Sequence, residues 1–128
     1  MNLLLDTHTF LWWDADLTKL SPRVLTLCQT PETVLVLSVV SIWEIQIKNA
    51  LGKLALRLPL QQLLREQEET NGIQIFPVQQ EHVLALDRLP PHHKDLFDRL
   101  LVAQALVEGL TLASRDQTFA AYPVPVIW

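Results

Sequence analysis

Asn2-Leu3-Leu4-Leu5-Asp6-Thr7-His8-Thr9 is the stretch on which the fold turns. An apolar run beginning at the second residue predicts a strand buried on both faces, and therefore central in a parallel sheet. The run stops at Asp6. In open α/β sheets ligands bind beyond the carboxyl ends of the strands. Asp6 is thus expected at the edge where chemistry is done, and other carboxylates reaching that edge would make it a site.

Working outward, residues 33–38, 73–78, 110–113 and 124–128 are the further strand candidates. Pro77, Pro123 and Pro125 put the third and fifth strands at edges, because proline donates no ladder hydrogen bond. Helical patterns lie between them. Ser21 as N-cap and Pro22 at the first helical position open a helix that Thr30-Pro31 closes. Residues 39–51 carry Val40, Trp43, Ile47 and Leu51 at helical spacing and stop at Gly52. Residues 60–69 turn Leu60, Leu63 and Leu64 inward, before Asn71-Gly72. Residues 81–89 are expected to bury Val83, Leu84 and Leu86, and Pro90-Pro91-His92-His93-Lys94 to form a rigid loop. Asp95 opens a long helix to Glu108, stopped by Gly109, with Leu96, Phe97, Leu100, Leu101, Ala103 and Leu106 as its apolar side. Shorter helices are expected over 8–14 and near Phe119. Strands alternating with helices predict an α/β domain, its mostly parallel sheet covered on both faces.

The 128 residues suit a single domain, 1–128, with a sizeable core: 49% are hydrophobic and 19% charged. The net charge of -4 is not the basic footprint of a nucleic-acid binder, although a bound metal would add charge that a residue count misses. A lone Cys28 excludes a disulfide framework and suits a reducing cytoplasm. It reads as a small buried hydrophobe. No secretory signal pattern is present, and no apolar run reaches the roughly 18 residues that span a membrane.

Four carboxylates stand where this architecture can gather them. Asp6 ends the first strand, Glu44 lies in the second turn of the helix after the second strand, Asp98 in the first turn of the long helix, and Asp116 just after the fourth strand. Each has a local explanation. Ser41 and Glu44 have capping-box spacing, Asp95 and Asp98 suit a helix N-terminus, Asp116 suits an N-cap, and Asp6 suits an Asx-turn. Together these explain less, since Glu44 adjoins Trp43 in a mostly apolar helix. Converging acids repel and raise one another's pKa values. A divalent cation with oxygen ligands, Mg²⁺ or Mn²⁺, is the natural compensation.

Four segments in order, Leu4-Leu5-Asp6-Thr7-His8, Ser38-Val39-Val40-Ser41-Ile42-Trp43-Glu44-Ile45, Asp95-Leu96-Phe97-Asp98-Arg99-Leu100-Leu101-Val102-Ala103-Gln104-Ala105 and Leu112-Ala113-Ser114-Arg115-Asp116, resemble the PIN domain. More narrowly they resemble a VapC-type toxin ribonuclease of a type II toxin–antitoxin module, over essentially the whole chain. The resemblance implies a three-layer α/β/α sandwich with a central sheet of about five strands. It implies a metal-dependent endoribonuclease that cleaves RNA phosphodiester bonds with a metal-activated water. It further implies Mg²⁺ (or Mn²⁺) as cofactor, a small cognate antitoxin (VapB-like) covering the acidic pocket, and a homodimer. By position, Asp6, Glu44, Asp98 and Asp116 match the family's catalytic, metal-holding acids. Asp95 is a helix cap first and an outer-shell contributor second. Ser114 stands beside the last acid, where it can hydrogen-bond a carboxylate or water.

Arg99, Arg115, Lys48 and Lys94 are candidate phosphate partners, with ordinary surface charge as the alternative. Trp12 and Trp13 are candidates for base stacking or for core. His8 is expected near the site without a metal role, and His92 and His93 in solvent. Leu54, Leu56, Leu58, Leu60, Leu63 and Leu64 read either as an exposed apolar patch or as core. Other readings are an inactive or non-toxin PIN-like RNA-binding domain and a haloacid-dehalogenase-like phosphatase. The phosphatase needs a second aspartate where Asp6-Thr7-His8 has histidine. A receiver-type signalling domain needs an aspartate where the third strand ends in Pro77-Val78.

Overall fold

Leu3, Leu4 and Leu5 are all fully buried, because β1 (Asn2–Leu5) is the middle strand of the sheet. In this computed structural model, which describes residues 1–91 and 95–128, β1 lies between β2 (Val34–Ser38) and β4 (Thr111–Ala113). β3 (Gln74–Phe76) and β5 (Val126–Ile127) form the edges, giving the order β3-β2-β1-β4-β5 with every pairing parallel. Leu5 pairs with Leu37 on one side and Ala113 on the other. That register brings Asp6, Ser38 and Ser114 out at one end of the sheet. The strands next to Pro77 and Pro125 are at the edges, as expected, with each proline just outside its strand. Sequence expectations for His92, His93 and Lys94 lie outside the described residues.

The alternation of β1 divides its leucines between two layers. Leu3 and Leu5 join a cluster with Phe10 of α1 (Thr7–Ala15), Val24 and Cys28 of α2 (Pro22–Gln29) and Leu63 of α4 (Leu60–Asn71). Leu4 joins Leu101, Val102 and Ala105 of α6 (Leu96–Glu108) on the other face. α3 (Val39–Ala50) touches both layers, with Ile45 in the first cluster and Val40 in the second. The result is an α/β/α sandwich. Ser21 caps α2 by accepting from the Val24 N–H, with Pro22 at the helix start. Gly109, at φ 67°, supplies the left-handed residue that ends α6 and lets the chain turn into β4.

One expectation changes, and one open choice is resolved. Residues 81–89 do not form one helix burying Val83, Leu84 and Leu86. Instead α5 (Gln80–Leu84) passes into a 3₁₀ turn (Ala85–Arg88), leaving Val83 49% and Leu84 61% exposed. The cause is His82. Its Nδ1 accepts from the Gln79 N–H at 2.9 Å and its Nε2 lies 2.9 Å from Glu108 Oε1, so this ring is turned inward with Ala85 and Leu89. The leucines of 54–64, in turn, pack on the core. The exposed apolar stripe lies elsewhere, on α3 and at the start of α6.

Candidate active site

Asp6 leaves β1 buried and becomes the N-cap of α1, with Oδ1 accepting from the Thr9 N–H at 2.9 Å. Its Oδ2 accepts from the Ser114 hydroxyl at 2.5 Å. Burial raises the Asp6 pKa above the ordinary carboxylate value, and the bonds from Ser114 and Thr9 offset part of that rise. Ser114 also accepts the Asp116 N–H at 3.0 Å, so one hydroxyl ties two of the acids together. Asp116 caps the 3₁₀ turn Gln117–Ala121 through the Thr118 N–H at 3.0 Å. Asp6 and Asp116 therefore do perform the capping roles their positions suggested, and still face the cleft.

For Glu44 the local explanation gives way, whereas Asp98 keeps its place in the first turn of its helix. The N-cap of α3 is Ser38, which accepts from the Val40 N–H at 3.0 Å; Ser41 does not cap it. Ser41 is buried 3.0 Å from Thr7 Oγ1, and Thr7 reaches Glu44 Oε1 at 2.6 Å. Lys48, one turn on, holds Glu44 Oε2 at 2.6 Å. Glu44 is thus a buried carboxylate fixed at both oxygens. On α6 the N-cap is Asp95, which accepts from the Phe97 and Asp98 N–H groups at 2.8 and 3.3 Å. With the cap provided by Asp95, Asp98 turns toward the other acids. Its carboxyl is pushed up to about 7, first by burial and then by the charges of Asp95, Glu44, Asp6 and Asp116.

Among the described residues no three His, Cys, Asp or Glu side chains are drawn together as a ready-made metal cage. The donor set nonetheless fits a hard cation. All the donors are carboxylate oxygens, they repel one another at Asp98, and Mg²⁺ is commonly held by one or two carboxylates with water completing the shell.

Of the candidate phosphate partners, Lys48 is engaged by Glu44, and Arg99 donates to the carbonyls of Pro90 and Leu86 at 3.0 and 3.2 Å. Arg115 is exposed and makes no ion pair among the described residues. It lines a cleft of about 310 Å³ with Asp6, His8, Trp12 and Asp116. Trp13 faces away, its indole N–H donating to Gln67 at 3.1 Å. Thr7, Ser38 and Gln104 escaped sequence reading. Gln104 is fully buried, bonded to Ser38 and donating to the Pro77 carbonyl at 3.1 Å, and so locks α3, α6 and the end of β3 together. A glutamine in the middle of an apolar helix face was the available signal.

The family model described as the PIN domain matches residues 3–125. No curated protein matches by sequence. Among solved structures, VapBC2 from Rickettsia felis bound to a DNA fragment from its promoter superposes with a TM-score of 0.73 at 15% identity, over 100% of this chain and 99% of that one. FitAcB from Neisseria gonorrhoeae gives 0.64 at 21% identity, over 98% and 96%. VapBC-5 from Mycobacterium tuberculosis, of the VapBC family of toxin–antitoxin systems, gives 0.60 at 21%, over 94% and 89%. At these identities the likeness is one of fold.

Proposed function

The chain belongs to the PIN-domain family, and from that premise we propose that residues 1–128 form one metal-dependent endoribonuclease domain, the toxin of a type II toxin–antitoxin module. What supports this is the convergence on Asp98: a half-buried carboxyl, pushed up first by burial and then by the charges of Asp95 at the start of its own helix and of Glu44, Asp6 and Asp116 from three other elements. Without a cation that arrangement is costly, and structure alone does not require it. Asp6, Glu44, Asp98 and Asp116 would hold Mg²⁺ or Mn²⁺, with Asp95 outside them. When bound, the cation supplies water activation and charge neutralisation at the scissile phosphate.

The chain's own groups do the positioning. Ser114 fixes the rotamer of Asp6, while Thr7 and Lys48 fix Glu44. Asp116 is held at the mouth of the cleft by its own cap, where it can orient a water. Arg115 is the cation placed to meet a substrate phosphate.

For partners, the solved structures similar in fold are toxin–antitoxin complexes, which supports a cognate VapB-like antitoxin here. A homodimer has support in α3. Val39, Trp43, Ile47 and Leu51 recur every fourth residue on its exposed side, Trp43 at 57% and Leu51 at 63% exposure. Beside them an apolar groove of about 560 Å³ is lined by Trp43, Leu86, Leu96, Phe97 and Leu100. Contiguous exposed apolar surface of this kind marks interfaces. Among the described residues no helix is long and apolar enough to cross a membrane. A cytoplasmic location suits the single buried Cys28, whose thiol burial pushes up to about 11.

The test is to purify the chain with and without the product of the neighbouring gene, and to incubate it with total RNA in Mg²⁺, Mn²⁺ or EDTA. Discrete cleavage that needs the cation and disappears with the partner bound is expected. Cleavage that persists in EDTA would refute the metal mechanism.

A further inference from the structure

The geometry points to a nucleobase-binding wall beside the carboxylates, formed by the rings of His8, Trp12 and Trp128, with Arg115 at its foot for the adjoining phosphate. This names a substrate subsite and rests on the nuclease reading. His8 and Trp12 are one turn apart on the helix that Asp6 caps, so the wall begins within a turn of the first carboxylate. Their ring centroids are 5.9 Å apart, at 41°. Trp12 continues to Trp128 at 5.8 Å, edge to face at 61°. These rings flank two adjoining recesses. The cleft of about 310 Å³ contains Asp6, His8 and Trp12. The neighbouring recess, of about 440 Å³, contains Ser114 and Trp128. Arg115 and Asp116 line both.

Core packing is the plain alternative, and Trp12 and Trp128 do touch the apolar cluster. Trp13 shows how a tryptophan devoted to packing is treated in this protein: its N–H is satisfied by Gln67. The indole N–H groups of Trp12 and Trp128, both only half-buried, make no hydrogen bond to other described residues and are left open to solvent or a ligand. Both line recesses instead.

The chemistry favours a base. A cleft crowded with carboxylates adds little attraction for a polyanion beyond the cation and Arg115, so the uncharged part of the nucleotide has to supply much of the affinity. Stacking on aromatic faces supplies it, tolerates any base, and requires a base that is not already paired. The ligand class is therefore an unpaired base of single-stranded RNA next to the cleaved bond.

The experiment compares a labelled single-stranded RNA octamer with octamers each lacking one base, binding being read by anisotropy in Ca²⁺ and cleavage separately in Mg²⁺. One abasic position should weaken binding roughly ten- to a hundred-fold. Trp128→Ala should impose the same loss on intact RNA and little further loss on that abasic RNA. Trp12→Phe, which keeps a ring, should retain most affinity; His8→Ala, on an exposed residue, removes one ring without touching the core. Equal binding of all octamers, or no binding of any, overturns the wall. Base-dependent binding without cleavage supports the wall and sinks the nuclease reading; cleavage indifferent to every base does the reverse.

Discussion

Asp98 and Ser114 show how the site acts through single residues. Burial and the neighbouring acids push the Asp98 carboxyl up to about 7 in the folded chain, against 3.8 for an ordinary aspartate. The folded state therefore binds this proton more tightly than the unfolded state does. Stability attributable to Asp98 is full below the unfolded pKa and is lost as pH rises from about 4 through about 7. Asp98→Asn should leave stability unchanged at pH 4 and raise it at pH 8. Because the group is partly exposed, the gain should be about 1 kcal/mol. Urea denaturation at the two pH values checks this, and the same variant should lose cleavage by at least about a hundred-fold. A variant destabilised at pH 8 would mean that Asp98 is a structural partner. Ser114→Ala removes the donor to Asp6 and the acceptor for the Asp116 N–H together. A group that orients metal-holding carboxylates is worth roughly ten- to a hundred-fold in metal affinity. Titration of cleavage rate against Mn²⁺ should show that shift, with circular dichroism unchanged.

Among the elements, α3 has the clearest division of labour. One side fixes Glu44 against Thr7, and the other presents Trp43, Ile47 and Leu51. Trp43 meets the Phe97 ring at 5.0 Å, edge to face. Trp43→Glu should abolish the proposed dimer, read by light scattering against the parent chain, while leaving the melting temperature of the monomer within a few degrees. Dimers that persist would move the interface off this face. The helices also show what a single sequence exposes and what it conceals. The long apolar spacing in α3 and α6, the Ser21-Pro22 start and the glycine stops were all readable, because each is a local contest among neighbours in the chain. The inward turn of His82 was not, since Glu108 stands 26 positions away. Nor was the choice of Ser38 over Ser41 as the cap of α3. Both serines fit a helix start, and the decision rests on Gln104 and Thr7, which arrive from other elements. The convergence of the acids was legible in outline, because strand ends of a parallel sheet have a known edge. The aromatic wall was half legible: Trp12 and Trp13 are adjacent in sequence, and which one faces the cleft depends on Gln67 and Trp128.

For the molecule as a whole, the net charge of -4 and the crowded carboxylates set how it responds to ions. A cation that binds the folded chain alone stabilises it by mass action, about 2.7 kcal/mol at a hundred times the dissociation constant. Saturating Mg²⁺ or Mn²⁺ should raise the melting temperature, and more at pH 8 than at pH 6, because protons compete for Asp98 below about 7. Equal shifts at both pH values would place the ion away from Asp98. The parallel sheet has a further consequence, one of timing. β1 finds its partner β2 early, but its other neighbour, β4, begins at Thr111, and the bond between Asp6 and Ser114 spans 108 positions. At the speed of translation those residues take roughly 5–20 s to make. Throughout that interval β1 has no β4 to pair with, and Glu44 and Asp98 are made before the serine and aspartate that complete the edge. The proposed nuclease site is thereby left incomplete while the chain is still attached to the RNA-rich machine that makes it.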